Sequence, residues 1–359
     1  MQAFVYNGQP SRVVFGQGAL AHLEREIGLL GAGRALVLAT PEQRAQAEMI
    51  ADRLGGRTAG IFARAVMHVP IETAREARDE ARRLGADCAV AIGGGSTIGL
   101  GKAIALDSGL PILAIPTTYA GSEMTPIYGI TEAGLKKTGR DPRVLPRTVI
   151  YDPALTMTLP VGLSVTSGMN AIAHAAEGLY ARDSNPIMDL MAEEGIRALA
   201  GALPAIRREA GDADARGHAL YGAWLCGSVL GNVGMALHHK LCHTLGGSFN
   251  LPHAEVHTVI LPQAMAFNAS SAPRAMARIE RALGTAGRVS ASAALFDVAR
   301  DNGAPVALKD IGGMGEADLA RAADLVVGAP YWNPREIGVA QREAVHRLLL
   351  DAYHGVRPD

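Results

Sequence analysis

The sequence predicts an α/β unit with a parallel sheet, followed by an all-α unit. Three observations lead there. Apolar, strand-length runs alternate with helical patterns up to residue 155, the rhythm of parallel strands joined by crossover helices. A run of glycines, Ile92-Gly93-Gly94-Gly95, joins one such strand to one such helix. From Leu163 to the end, Ala- and Leu-rich helical patterns dominate, with little clustering of β-branched residues.

Arg12 to Phe15 reads as a short strand ahead of a turn at Gly16 and Gly18, and Ala19 to Leu30 has helical spacing. Ala35 to Ala39 is a buried strand. Pro41 and Glu42 then open a helix at the position where proline is tolerated, because a first turn leaves that N–H unbonded anyway. Ile71 to Leu84 is a charged amphipathic helix, and Asp87 to Ile92 is the next strand. Ile98 to Leu106 is helical, and the apolar strand from Ile112 ends in Thr117 and Thr118. In the second half, Gly211, Asn268 and Gly312 break the helical pattern. The expected units are 1–155 and 156–359, with the ligand site in the cleft between them.

With 359 residues, 48% of them hydrophobic, the chain can bury a sizeable core, which excludes a disordered protein. A net charge of −1 gives no general attraction for nucleic acid or an anionic membrane. Cys88, Cys226 and Cys242 form no Cys-x-x-Cys pair, so no disulfide framework is expected and a reducing cytoplasm fits. The opening residues lack a basic, apolar leader, and no uncharged apolar run reaches the roughly 18 residues of a spanning helix. Neither export nor membrane insertion is expected.

Two stretches carry the chemistry. Gly93, Gly94 and Gly95 let backbone N–H groups approach a pyrophosphate, the helix N-terminus behind them favours negative charge, and Ser96 and Thr97 add hydroxyls. Thr117 and Thr118 form a second polar edge beside this turn if their strands are neighbours. The other stretch, 232–257, holds five of the eleven histidines. His239 and His243 are four residues apart in an apolar run, so their imidazoles share one helix face. That run is expected to stop at Gly246-Gly247, and His253 follows Pro252 in a loop or at the start of a new element. Asn170 and His174 repeat the spacing upstream, and together these residues predict the wall of one pocket.

The series Gly-Gly-Gly-Ser (93–96), Pro-Thr-Thr (116–118), Gly-Ser-Glu (121–123), Asp-Pro (152–153), Gly-Met-Asn-Ala-Ile-Ala-His-Ala-Ala-Glu (168–177), His-His-Lys-Leu-Cys-His-Thr-Leu-Gly (238–246) and Pro-His (252–253) resembles the iron-containing alcohol dehydrogenase superfamily over nearly the whole chain. The resemblance implies an N-terminal dinucleotide-binding domain, a helical C-terminal domain, and NADH or NADPH as cofactor. It also implies that Asn170, His174, His239 and His253 stand where metal-dependent members hold a divalent ion through one Asp and three His, with His243 at the nicotinamide end. Position 170 departs from that pattern. An amide is a weaker, neutral ligand, so the site loses an anion that would offset a dication. Three neutral histidines can still hold zinc.

The motifs around Asn170, Thr117 and residues 136–147 are most similar to a branch that reduces the conjugated double bond of maleylacetate, a dicarboxylate, to 3-oxoadipate in the breakdown of aromatic compounds. That branch implies catalysis without metal. A metal-dependent alcohol dehydrogenase of the same superfamily is the alternative. The resemblance further implies Lys137, or in second place Lys136, near the nicotinamide, and Thr40 where NAD-preferring relatives carry Asp, so the 2′-phosphate of NADPH is not repelled. Arginine bonds a carboxylate twice through its planar fork. Arg335 and Arg143, with Arg140, Arg147 and Tyr119, are therefore nominated for the substrate. A homodimer is expected, with neither nucleic acid nor membrane as partner.

Overall fold

The computed structural model describes residues 4, 6, 8–9, 11–132, 135–329 and 331–359. It divides into two compact units, one from Gly8 to Leu159 and one containing Pro160 to Asp359.

The first unit is built on β1 (Arg12–Phe15), β2 (Ala35–Leu38), β3 (Thr58–Phe62), β4 (Cys88–Gly93) and β5 (Ile112–Pro116), a separate hairpin of β6 (Ile127–Glu132) and β7 (Leu135–Arg140), and β8 (Thr148–Tyr151). Its helices are α1 (Leu23–Leu29), α2 (Arg44–Leu54), α3 (Ile71–Arg83) and α4 (Gly95–Ser108). Six strands form one parallel sheet in the order β1-β8-β5-β4-β2-β3. Every residue of β2, β4, β5 and β8 is buried, which is why β2, β4 and β5 read as unbroken apolar runs, helices covering both faces, while the four-residue β8, opening on Thr148, has no strand assigned to it from the sequence. The helix α3 turns Ala74, Ala77 and Ala81 inward and leaves most of its charges outside, the stripe that helical spacing implies.

From β2 the chain steps outward to β3, then returns to β4 on the other side of β2. Open α/β sheets bind ligands at the carboxyl ends of the strands where the order reverses, here β2 and β4. The sequence reading assigned no strand to β3 or to the hairpin. In β6 all six residues are half-buried, so no apolar alternation betrays it.

The second unit is helical: α5 (Val161–Gly178), α6 (Pro186–Arg208), α7 (Ala213–Asn232), α8 (Leu237–Phe249), α9 (His253–Asn268), α10 (Pro273–Ala282), α11 (Ala291–Asp301), α12 (Leu308–Ile311), α13 (Leu319–Val327) and α14 (Arg342–His354). Its central element is α5, buried without interruption from Ser164 to Gly178 and packed on α6, α7 and α9. At Gly168 an added Cβ would stand 2.8 Å from Leu203 Cδ2 of α6, so the two helices meet at a contact that only glycine leaves open.

One boundary differs from expectation. The helix α8 does not stop at Gly246-Gly247 but runs on to Phe249. It ends at Asn250, which adopts the left-handed conformation (φ 55°) that glycine usually supplies at a helix end. Among the described residues, no single helix is long and apolar enough to cross a membrane.

Candidate active site

In the first unit the polar groups gather at the end of β4. Gly93 has a φ of +148°, and a Cβ there would stand 2.5 Å from Gln43 Oε1 and 2.6 Å from Thr97 Oγ1. Gly94 caps α4 without a side chain, so the N–H groups of the first turn, from Gly95 through Ser96 to Thr97, are left for an anion. Thr97 is fully buried and its hydroxyl has no partner. Thr117 donates its N–H to the Gly93 carbonyl at 3.1 Å, and its hydroxyl accepts from Gln43 Nε2 at 2.9 Å. The methyl of Thr118 lies 3.0 Å from where a Gly94 Cβ would be. Thr40, just past β2, sets its hydroxyl 3.5 Å from Gln43 Oε1. The pairing of β4 with β5 thus brings the two polar edges together, and the turn fits the pyrophosphate of a dinucleotide. Gln43 was missed; its only sequence signal is its place in the first turn after Pro41.

Three other nominated residues of this unit have their own partners or no access. Lys137 is exposed on β7 and bonds Glu132 at 2.7 Å. Arg143 is exposed and clasps Asp141 through Nε and Nη2, at 2.9 and 2.7 Å. The side chain of Tyr119 is fully buried.

In the helical unit, α5, α8 and α9 assemble a continuous group of imidazoles. The His239 ring centroid lies 5.2 Å from that of His174, 5.1 Å from His257 and 6.1 Å from His243. His257 lies 4.1 Å from His253 and 4.9 Å from His238. His174, His238, His239 and His257 are buried, whereas His243 and His253 are exposed. His253 is the first residue of α9, one turn ahead of His257. The four-residue spacing that singled out the other pairs therefore also pointed to His257, which the sequence reading left without a role. Burial disfavours the charged imidazole and pushes His174, His239 and His257 well below the usual histidine value, and His238 down to about 4.

Glu177, at the end of α5, organises this group. Its Oε1 accepts from His238 N at 2.9 Å and from the Tyr180 hydroxyl at 3.0 Å. Its Oε2 accepts from Ala236 N at 2.9 Å, His239 N at 3.3 Å and His239 Nδ1 at 2.8 Å. One carboxylate thus caps the start of α8, where backbone N–H groups would otherwise be orphaned, and grips an imidazole of the same helix. It too went unassigned from sequence, since its backbone partners lie some 60 positions on.

His174 Nδ1, His239 Nε2, both ring nitrogens of His257 and Asn170 Oδ1 are buried without a hydrogen-bond partner. Ligand atoms of His174, His239 and His257 lie within 4.8 Å of one another. Three neutral nitrogens fit a divalent ion in type, and Asn170 lies one turn ahead of His174 on the same helix. The set supplies no negative charge, because Glu177, the nearby carboxylate, is occupied by five donors. Arg335 is committed elsewhere: it stacks 4.1 Å over the Phe267 ring and donates to the Phe267 carbonyl at 3.2 Å.

Two family models match the chain: iron-containing alcohol dehydrogenase over residues 10–153, and the C-terminal part of the Fe-containing alcohol dehydrogenase family over residues 164–353. The sequence is 64% identical over 358 residues to a maleylacetate reductase of Burkholderia cepacia, covering 100% of both chains. It is 54% identical over 359 residues to a maleylacetate reductase of a Rhizobium species, again covering 100% of both. The crystal structure of maleylacetate reductase from Agrobacterium tumefaciens superposes with a TM-score of 0.95 at 53% identity and covers 100% of each chain.

Proposed function

Since the chain belongs to the iron-containing alcohol dehydrogenase family, and within it to the maleylacetate reductases, we propose that it reduces the conjugated double bond of maleylacetate to give 3-oxoadipate, with NADH or NADPH and without metal. The observation that carries the metal-free part is Asn170. Its buried, unpartnered amide oxygen lies one helical turn ahead of His174 on α5 and brings no charge, and the nearby carboxylate, Glu177, is taken up by its own donors, so nothing there balances a dication.

The bound dinucleotide supplies a hydride to the alkene carbon beside the carboxylate. The glycine turn and the N–H groups of α4 hold its pyrophosphate, the part-exposed Ser96 and Thr118 add hydroxyls, and the buried Thr97 and Thr117 line the turn behind them. As the double bond is reduced, negative charge gathers on the ketone oxygen. Imidazole N–H groups of the buried cluster meet that charge, and a well-aimed donor in a dry site contributes about 3 kcal/mol to the barrier reduction. The proton for the carbon next to the ketone comes from His243 or His253, whose exposed rings can be reloaded from water. A divalent ion, when bound by Asn170, His174, His239 and His253 as the resemblance implies, or by His257 in place of His253, would polarise the same oxygen as a Lewis acid.

A second reading, a metal-dependent alcohol dehydrogenase, is favoured by the fit of those three histidines to an ion. Cofactor oxidation with maleylacetate, measured before and after exhaustive chelation, separates the two. Equal rates are expected; activity that vanishes and returns with iron or zinc would establish the second reading. The first reading also takes the enzyme as a cytoplasmic homodimer, in keeping with three buried free thiols.

A further inference from the structure

The surroundings of one ring nitrogen determine what His239 presents to the pocket. His238 Nε2 lies 3.0 Å from the His257 carbonyl oxygen, which can only accept, so His238 carries its proton there. Its Nδ1 is then a lone pair, 3.4 Å from Nδ1 of His239. On the other side of the same His239 atom stands Glu177 Oε2, at 2.8 Å. The remaining partners of Glu177 are all N–H or O–H donors, so the carboxyl group is an acceptor throughout.

With acceptors on both sides, Nδ1 of His239 must hold the ring proton, and the buried, unpartnered Nε2 is a lone pair. We propose that Glu177 is a positioning residue: it locks His239 in the Nδ1–H tautomer, so that an acceptor nitrogen faces the pocket. Asn170 Oδ1 is a second unpartnered acceptor. An acceptor nitrogen repels a developing oxyanion and turns the ketone oxygen away from His239, toward the other buried rings, His174 and His257. His239 therefore orients the substrate by repulsion and is not itself the donor.

This inference rests on the reductase reading for its chemistry but not for its geometry. In protein labelled with heavy nitrogen in histidine, two-bond proton–nitrogen spectra distinguish the ring tautomers, and the signal missing from His239→Gln identifies His239. The wild-type pattern is expected to be Nδ1–H; an Nε2–H pattern overturns the proposal. Glu177→Leu removes the carboxylate acceptor from Nδ1 and is expected to let the Nε2–H pattern appear. In that variant kcat should fall about 10- to 100-fold, the usual effect of losing a group that orients an imidazole, while NADH affinity holds. A pattern unchanged in Glu177→Leu overturns the role of Glu177. If that variant does not fold, the wild-type spectrum decides alone. Neither spectrum needs turnover, so a protein inert toward maleylacetate would sink the reductase reading and leave the tautomer standing.

Discussion

Both oxygens of Thr125, carbonyl and hydroxyl, stand 2.8 Å from the ammonium of Lys102. The same ammonium donates to the carbonyls of Ser122 and Ile127, each at 2.7 Å, and is buried. Lys102 lies on α4, which starts at the glycine turn, so it ties that helix to the segment leading into the hairpin. Lys102→Met should cost about 3 kcal/mol or more, because buried acceptors lose their donor. Urea unfolding measures this, and a variant as stable as wild type would show that the clamp carries no weight.

Gly93→Ala should weaken cofactor binding as well as stability. The new Cβ would collide with Gln43 and Thr97 in a backbone conformation that alanine disfavours. A loss of about 2 kcal/mol is expected from the strain alone. Titration of NADH by fluorescence should show at least a tenfold rise in Kd, about 1.4 kcal/mol or more, and an unchanged Kd would remove the turn from the cofactor site.

Asn170→Asp places an anion one helical turn ahead of His174, which groups with His239 and His257, and should raise the affinity for cobalt or zinc. Calorimetric titration of the metal alone provides the measurement. Equal affinity in variant and wild type would mean that position 170 does not govern metal binding.

Deuteride from labelled NADH should reach the alkene carbon beside the carboxylate, not the carbon next to the ketone. Proton spectra of the isolated 3-oxoadipate locate the label, and the opposite placement rejects the enolate route.

Acid should unfold the helical unit early. Unfolded imidazoles take up protons near pH 6.5, whereas buried His238 does so only at about 4, and His174, His239 and His257 are likewise lowered. Between those values the unfolded chain binds more protons, so stability present above pH 6.5 drains as pH falls. Each such residue steepens the loss by about 1.4 kcal/mol per pH unit. Urea midpoints between pH 7.5 and 5 should drop sharply, and a flat profile would mean that the cluster already carries charge when folded.

The central strands β2, β4 and β5 and the glycine turn are legible because burial on both faces leaves unbroken apolar runs and a strand-to-helix turn leaves glycines; β3, β8 and the hairpin are not, being short or half-buried. The pairs Asn170/His174 and His239/His243 were legible through helical spacing. Glu177 was not, since its partners are mainly backbone groups distant in sequence, and a backbone N–H leaves no mark in the residue string. Arg335 was nominated for its charge, yet an aromatic ring and a carbonyl hold it. The close of α8 was misplaced because Asn250 does there what the glycine pair seemed to announce.

The contact at Gly168 reaches beyond packing. Gly168 and Asn170 are two positions apart on α5, about 200° round the helix, so Leu203 presses on the back of a wall whose front carries Asn170 and His174. A bulkier or smaller residue at 203 would shift both together while leaving every pocket side chain unaltered. The stretch of α5 that carries Asn170 and His174 is therefore adjustable from a residue on a different helix, a remote lever on where those two side chains stand.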